Sequence, residues 1–469
     1  METKRKFKVA IIGGGPGGYV AAIRAAASGA SVALIEKEHV GGTCLNWGCI
    51  PTKTLLASAD VLHQVRNAEK FGIHVGSITF DYAAMNARKN EIVAKIKKSL
   101  EGLITSHKVT IIRGTGSFIS PHEIKVSGQN NEIIEAEQII IATGSSPKNI
   151  KAFPFDHKKI HDSTSILELT SLPKKLVIVG GGVIGCEFAS LFAELGVEVV
   201  ILEALQSLLP LEDKSVASNL SALFAKKGIQ FHTQVTVKGI DTTHEGVTVT
   251  LDSKEPIHAD MALVAVGRSL NTYGIGLEKA GVMVEDNGAI PVNKHMQTSV
   301  PHIFAIGDIT AKVMLAHVAS HQGIVAAANA IGKKTEMHYE AVPNVIFTNP
   351  EIATVGLTLE KAIEMGFKAN SSKFPFQALG KSIASIHTEG FSQLVFEEKT
   401  GRILGAQVIG HEASILIAPM VLAIQNELTL ESITETIHAH PTTAESWLEA
   451  ALIATGTPIH FPPQKKASV

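Results

Sequence analysis

Cys44 and Cys49 stand in the segment Gly41-Gly-Thr-Cys-Leu-Asn-Trp-Gly-Cys-Ile-Pro-Thr-Lys53. Three chemistries suit such a pair. Two buried thiols can simply pack, a common fate of free cysteine. The pair could join His39 at a metal, although zinc takes four ligands and the neighbourhood offers no fourth. Or the thiols could close a small disulfide loop and exchange it with a substrate. Their place directly after a glycine-rich strand–helix–strand stretch leans toward exchange and leaves the other two open. The third cysteine, Cys186, follows Gly185 in an apolar helical stretch and reads as a small core residue.

A second candidate lies near the carboxy terminus, in His438-Ala-His-Pro-Thr-Thr-Ala-Glu445. Capping explains part of it. Thr442-x-x-Glu445 has the spacing of a capping box, and Pro441 suits a helix start. The chemical alternative is that Glu445 reaches back to orient His440, whose imidazole then works as a base near neutral pH. His438 has no such neighbour and reads as structural.

These groups need elements to hold them. Val9–Gly18 runs from a β-branched strand into glycines. An Ala-rich helix over Tyr19–Ala27 follows, Gly29 ends it, and Ser31–Glu36 is a second strand. The pattern returns at Leu176–Gly185, Cys186–Leu195, Gly196 and Val197–Glu203. Gly13, Gly15, Gly18, Gly29 and Glu36 recur without a gap as Gly180, Gly182, Gly185, Gly196 and Glu203. Each turn is a G-x-G-x-x-G between strand and helix, ending in an acid that suits ribose hydroxyls. The chain therefore carries two dinucleotide-binding units. A 2′-phosphate adds charge that Glu203 repels, and no arginine lies between Arg113 and Arg268. The second unit thus suits NAD rather than NADP.

Further buried strands end at Gly144, Gly267 and Asp308, each suited to bring a strand tip near a ligand. From about Ala341 the glycine signature stops, and strand-like runs alternate with helical ones over Ile415–Gln425 and Ala444–Ala454. Pro462–Val469 reads as a loose tail. The expected class is α/β, with two Rossmann-like units and a C-terminal α+β dimerisation domain. The expected boundaries are 1–147 and 269–340 for the first nucleotide domain, 148–268 for the second, and 341–469 for the last. Lys and Arg total 42 against 44 Asp and Glu, so no net field draws nucleic acid or an anionic membrane. No apolar run reaches the ~20 residues of a spanning helix. Met1–Lys8 lacks the parts of a signal peptide. Three cysteines make no disulfide framework, so a reducing, cytoplasmic setting is expected.

Together these motifs identify a family. The sequence resembles the flavoprotein disulfide reductases, or pyridine nucleotide-disulfide oxidoreductases. The likeness spans nearly the whole chain, through Gly13–Gly18, Cys44–Lys53, Ala142–Gly144, Gly180–Glu187, Val266–Arg268, Ile303–Asp308 and His438–Glu445. The resemblance implies that the first unit binds FAD and the second NAD. It implies that Cys44 and Cys49 form a reversible disulfide, and that His440 and Glu445 come from the other subunit of a homodimer. It places Gly13, Gly15, Gly18, Glu36, Lys53, Gly116, Thr143, Gly144, Asp308 and Ala316 at FAD. It places Gly180, Gly182, Gly185, Glu203, Val235 and Gly267 at NAD, with no metal. Lys53 and Glu187 hold family positions near the flavin. Trp47 stands where many relatives carry Val.

The activity so implied is oxidation of dihydrolipoyl groups carried by 2-oxo acid dehydrogenase or glycine-cleavage complexes. Electrons would pass through Cys44–Cys49 and FAD to NAD. No lipoyl-type domain precedes Lys8, so the lipoyl group would arrive on a partner or as a free molecule. The alternatives are a glutathione- or mercury-type NAD(P)H disulfide reductase and a non-catalytic flavin scaffold. Glu203, and the lack of any cysteine after Cys186, count against the first two types.

Overall fold

A computed structural model describes residues 3–128, 131–252 and 254–462. The tail expected from Pro462 lies outside them from position 463 onward. The chain divides into two units, Met1–Leu172 with Val266–His338, and Pro173–Ala265 with Tyr339–Val469.

In the first unit the strand Thr3–Ile12 is central. Its amino-terminal half is exposed and basic, and its carboxy-terminal half, Val9–Ile12, is buried. It pairs in parallel with Val32–Glu36 on one side and Glu132–Ile141 on the other. Thr110–Arg113 and Ile303–Ala305 extend the parallel sheet. Glu132–Ile141 also joins an antiparallel meander with Glu123–Ser127 and Thr115–Ser120. Glu132–Ile141 thus joins the parallel and the antiparallel parts of one seven-stranded sheet. The helices Pro16–Ala27 and Ala316–Ala330 pack closely, because their facing side is small. A Cβ on Gly323 would come within 2.4 Å of the Gly17 carbonyl oxygen.

The second unit has its own parallel sheet, in the order Gln230–His232, Glu198–Leu202, Lys175–Val179, Met261–Val264. The glycine turn between Lys175–Val179 and the helix Val183–Glu194 therefore repeats the first βαβ arrangement. The rest of this unit holds an antiparallel sheet, in the order Pro343–Ile346, Glu351–Gly356, Ile403–Gly410, Phe391–Glu397, Ala369–Pro375. Ile403–Gly410 is buried along its whole length, as an inner strand covered on both faces should be. Trp447 fills the core beside it, 1% exposed, and its indole N–H donates to the Leu416 carbonyl at 2.9 Å.

Two local expectations are corrected. The run Ile415–Gln425 is not one helix but two, Ala413–Leu416 and Ala418–Gln425. Pro419 lacks the N–H that would continue the first helix and suits the first turn of the second. The last helix, Glu445–Ala454, matches the expected run Ala444–Ala454 to one residue, so Pro441 stands ahead of the helix and not in its first turn, and the His440–Pro441 bond is cis. Among the described residues no helix is long and apolar enough to cross a membrane.

Candidate active site

The two glycine turns match down to single hydrogen bonds. Gly13 has φ +104°, and a Cβ there would lie 2.3 Å from the Ala142 carbonyl oxygen. A Cβ on Gly18 would lie 1.9 Å from the Gly13 oxygen, so only glycine lets helix and strand close up. Gly180 repeats the positive φ, at +108°, and a Cβ on Gly185 would lie 1.9 Å from the Gly180 oxygen. Glu36 accepts the Gly14 N–H at 2.7 Å and the Glu38 N–H at 2.8 Å. Glu203 accepts the Gly181 N–H at 2.6 Å and the Leu205 N–H at 2.7 Å.

Whether dinucleotides fit can be judged at the helix starts. The N-caps are Gly15 and Gly182, and neither helix has a side-chain cap or an acid in its first turn. The free N–H groups and the positive dipole end are left for phosphate. The second glycine of each turn stands open, with nothing nearer a Cβ at Gly15 than Gly42 Cα at 3.9 Å and nothing within 4 Å at Gly182. Each carboxylate oxygen of Glu36 and Glu203 holds one bond and has a lone pair left for a ribose hydroxyl. Both turns therefore fit a dinucleotide.

The remaining expected ligand residues fall as follows. Thr143 Oγ1 donates to the Asn271 carbonyl at 3.0 Å, and Asn271 Nδ2 donates back to Thr143 O at 2.9 Å. Gly144 follows with φ +67°. Asp308 Oδ2 accepts from Ser145 Oγ at 2.5 Å. Ala316 opens the uncapped helix Ala316–Ala330. Gly116 is buried in Thr115–Ser120, where a Cβ would press on Ile35, Ile12 and Ile124 at 3.2–3.3 Å. Val235 donates its N–H to Glu203 O at 3.1 Å, directly beside the second acid. Gly267 falls in the first unit, past the crossover at Val266.

Cys44 lies in the short helix Gly42–Trp47, and Cys49 begins the helix Cys49–Arg66, with Gly48 between them. Both are half-buried thiols. A hydrogen bond to Cys49 pushes the Cys44 pKa far up, burial and the Cys49 charge add to this, and Lys53 opposes it. The hydrogen bond and burial both favour the neutral thiol at Cys44. Cys186 is fully buried and donates to the Gly181 carbonyl, as a core residue would. Among the described residues no group of three or more His, Cys, Asp or Glu is placed to hold a metal ion.

In the second unit His440 Nδ1 and Glu445 Oε1 are 2.8 Å apart, and Glu445 Oε2 accepts the Thr442 N–H at 2.9 Å. Burial acts to raise the Glu445 pKa, but the Thr442 N–H and His440 outweigh it and lower it. The carboxylate is thus ionised and must accept from Nδ1–H, which leaves Nε2 with its lone pair outward. The His440 side chain is 77% exposed in the single chain, so that lone pair is accessible. A full capping box is absent, because Thr442 Oγ1 donates to Ala439 O instead. His438 Nε2 meets the Ile433 carbonyl at 3.2 Å, a local structural bond.

The profile of the pyridine nucleotide-disulphide oxidoreductases matches residues 7–323, and that of their dimerisation domain matches residues 342–451. The chain belongs to this family. It is an oxidoreductase, and its cofactors are FAD and NAD. It is 52% identical over 460 residues to the dihydrolipoyl dehydrogenase of Chlamydia pneumoniae, covering 98% of this chain and 99% of that one. It is 42% identical to that of Geobacillus stearothermophilus, covering 96% and 97%. Among solved structures it resembles LpdA of Mycobacterium tuberculosis, with TM-score 0.90, 30% identity and coverage of 96% and 99%. It also resembles the HOCl-induced flavoprotein disulfide reductase RclA of Escherichia coli, with TM-score 0.85, 30% identity and coverage of 95% and 99%.

The structure directs attention to two residues that sequence reasoning passed over. Tyr19 stands one residue past the third glycine. Burial pushes its phenol pKa up and Cys44 adds to this, so the ring lies within the field of the thiol pair. Its signal was its place in the first helical turn, where a phenol cannot serve as a glycine does. Arg268 closes the Val266-Gly-Arg268 segment. It was read only as part of a motif, because its partners are far off in sequence.

Proposed function

We propose that the chain is a dihydrolipoyl dehydrogenase, oxidising dihydrolipoyl groups to lipoyl groups with reduction of NAD to NADH. The observation that carries this reading is the half-buried Cys44–Cys49 pair, joined by a hydrogen bond in the same unit as the first glycine turn. The near-full-length likeness to dihydrolipoyl dehydrogenases supports the substrate.

In the oxidised enzyme Cys44 and Cys49 form a disulfide. A substrate thiol with pKa near 8.5 is mostly protonated at neutral pH. Nε2 of His440 takes that proton, while Glu445 holds Nδ1–H and stabilises the imidazolium. The substrate thiolate attacks Cys44 Sγ, the Cys44–Cys49 bond breaks, and Cys49 leaves as thiolate. The second substrate thiol attacks the substrate sulfur of the mixed disulfide, and its proton passes to the Cys44 sulfur as that sulfur leaves. The lipoyl disulfide forms and Cys44 is released. The substrate has lost two electrons and two protons, and the cysteine pair has gained the two electrons. FAD, when bound, supplies the relay that takes this electron pair on to NAD and restores the disulfide. The first glycine turn, with Glu36, would hold FAD, and the second, with Glu203, would hold NAD. Lys53, within the field of Cys44, would offset negative charge on the reduced pair.

The fuller reading includes a homodimer in which His440 and Glu445 serve the partner's thiols. It includes the boundaries 1–147, 148–268, 269–340 and 341–469, lipoyl-bearing subunits of 2-oxo acid dehydrogenase complexes as partners, and a cytoplasmic setting. The test compares holoenzyme turnover of dihydrolipoamide with NAD against NADH- or NADPH-driven turnover of glutathione disulfide and mercuric ion. A higher kcat/KM for either of the latter would replace the proposed substrate.

A further inference from the structure

Glu449 sits one turn after Glu445 on the helix Glu445–Ala454 and is 3% exposed. Its Oε1 lies 2.7 Å from His460 Nδ1, and its Oε2 accepts the His460 N–H at 3.1 Å. With both carboxylate oxygens accepting, Nδ1 carries the hydrogen and Nε2 keeps its lone pair. The arrangement repeats that of the first pair. There one oxygen of Glu445 lies 2.8 Å from His440 Nδ1, and the other accepts a backbone N–H, that of Thr442, at 2.9 Å. The side chains of His440 and His460 are 77% and 69% exposed, so both rings stand open to solvent.

Residues four apart on a helix share a face, with about 5–6 Å between their Cβ atoms. The two carboxylates therefore hold the two imidazoles on one side of the helix, about a turn apart. His440 comes to its carboxylate from five residues before it, and His460 from 11 residues after its own. The electrostatics agree with this closeness. Burial acts to raise the Glu445 pKa, and the Thr442 N–H, His440 and finally His460 lower it. A buried carboxylate is costly unless it is paired and hydrogen-bonded. An uncharged side chain accepting the His460 N–H would suffice to tie down the chain after the helix. What the carboxylate adds is a second imidazole, oriented and basic, beside the first.

We propose that His460, oriented by Glu449, takes over the proton that His440 removes from the substrate thiol and passes it to solvent. This rests on the reading of His440 as the base. In each turnover the substrate gives up two electrons and two protons, and NAD takes both electrons and one proton as hydride. One proton must leave the enzyme, and His440 cannot take another until its own has gone. The N–H bond at His440 Nε2 breaks and one forms at His460 Nε2, by way of bridging water. His440 is then neutral for the next substrate, and His460 gives the proton to solvent. If His440→Ala kept dihydrolipoamide turnover, the reading of the base would fail on its own, separately from the measurements below.

The test uses holoenzyme carrying His460→Gln or Glu449→Gln. The kcat and KM for dihydrolipoamide are read at saturating NAD and fixed pH in dilute buffer, with and without added imidazole at matched ionic strength. His460→Gln keeps a donor for Glu449 but is no base. Its kcat should fall about tenfold, less than the ~10²-fold of a directly acting base, with KM unchanged. Added imidazole, a mobile base, should restore kcat toward wild type and do little for the wild-type enzyme. Glu449→Gln should lower kcat in the same direction and respond to imidazole in the same way. Wild-type kcat for His460→Gln in dilute buffer would overturn the relay. A fall that imidazole does not restore would reduce the pair to a tie for the chain end. If His460→Gln does not fold, Glu449→Gln decides by the same two criteria.

Discussion

At Glu445 one carboxylate performs two tasks, holding the Thr442 N–H and the His440 ring. The two tasks separate on substitution. Glu445→Gln keeps a hydrogen-bonding side chain but loses the charge that stabilises an imidazolium. Turnover should fall by ~10²-fold or more, the scale of a positioned base, while stability falls by no more than the ~0.5–2 kcal/mol of a lost cap. His440→Ala should cost at least as much turnover, and His438→Ala little. A fully active Glu445→Gln enzyme would return the residue to capping. The pH dependence has a definite sign. The folded Glu445 pKa is depressed below its ordinary 4.5, so its stabilisation is complete above that value. It is lost as pH falls through the depressed value, and denaturation curves of wild type and Glu445→Gln should converge only on the acid side. Cys44→Ser and Cys49→Ser should each abolish dihydrolipoamide turnover while FAD stays bound. Near-normal activity in either would remove the exchange mechanism.

At the scale of elements, the two βαβ turns make the same demand on sequence. Gly185→Ala would place a Cβ 1.9 Å from the Gly180 oxygen, where backbone and not a flexible side chain must give way. A loss of about 1–3 kcal/mol is expected from such overpacking, with weakened NADH binding in a fluorescence titration. An unchanged melting temperature and affinity would refute the steric demand at Gly185. Glu203 sets the nucleotide. Its buried carboxylate, fixed by the Gly181 and Leu205 N–H groups, should repel a 2′-phosphate and give NAD a large advantage in kcat/KM over NADP. Comparable values for the two cofactors would refute this. Glu203→Ala should weaken NAD binding, and an arginine added nearby should move the preference toward NADP.

At the scale of the molecule, the proposed catalytic groups belong to different units of the chain. Cys44 and Cys49 lie in the first, and His440 and Glu445 in the second, which carries the dimerisation domain. If the base serves the partner's thiols, two inactive variants should complement. Mixing Cys49→Ser subunits with His440→Ala subunits should restore partial dihydrolipoamide turnover, because one site of each mixed dimer holds both cysteines and an intact base. No recovery in verified heterodimers would place the base and thiols in one chain or dissociate them altogether.

The doubled glycine turns, their closing acids, the cysteine pair and the His440–Glu445 spacing were legible in the sequence. Each is a local pattern, set by a steric or hydrogen-bonding demand that acts within a few tens of residues. Gly18 and Gly185 show why: the oxygen that excludes a Cβ lies five residues away. Even locally some features escaped. The break at Ile417 comes where Pro419 lacks the N–H that would continue the first helix, and Pro441 stands ahead of the last helix, where Thr442 donates its hydroxyl to Ala439 O and its N–H to Glu445. The Arg268–Ser145–Asp308 network was not legible. Its members are separated by 123 and 163 residues, and only the return of the chain to the first unit brings those strand tips together. The sequence by itself determined which chemistries the chain can hold. Tertiary structure decided which charges share a field, because electrostatic partners are set by distance in space and burial, neither of which spacing along the chain contains.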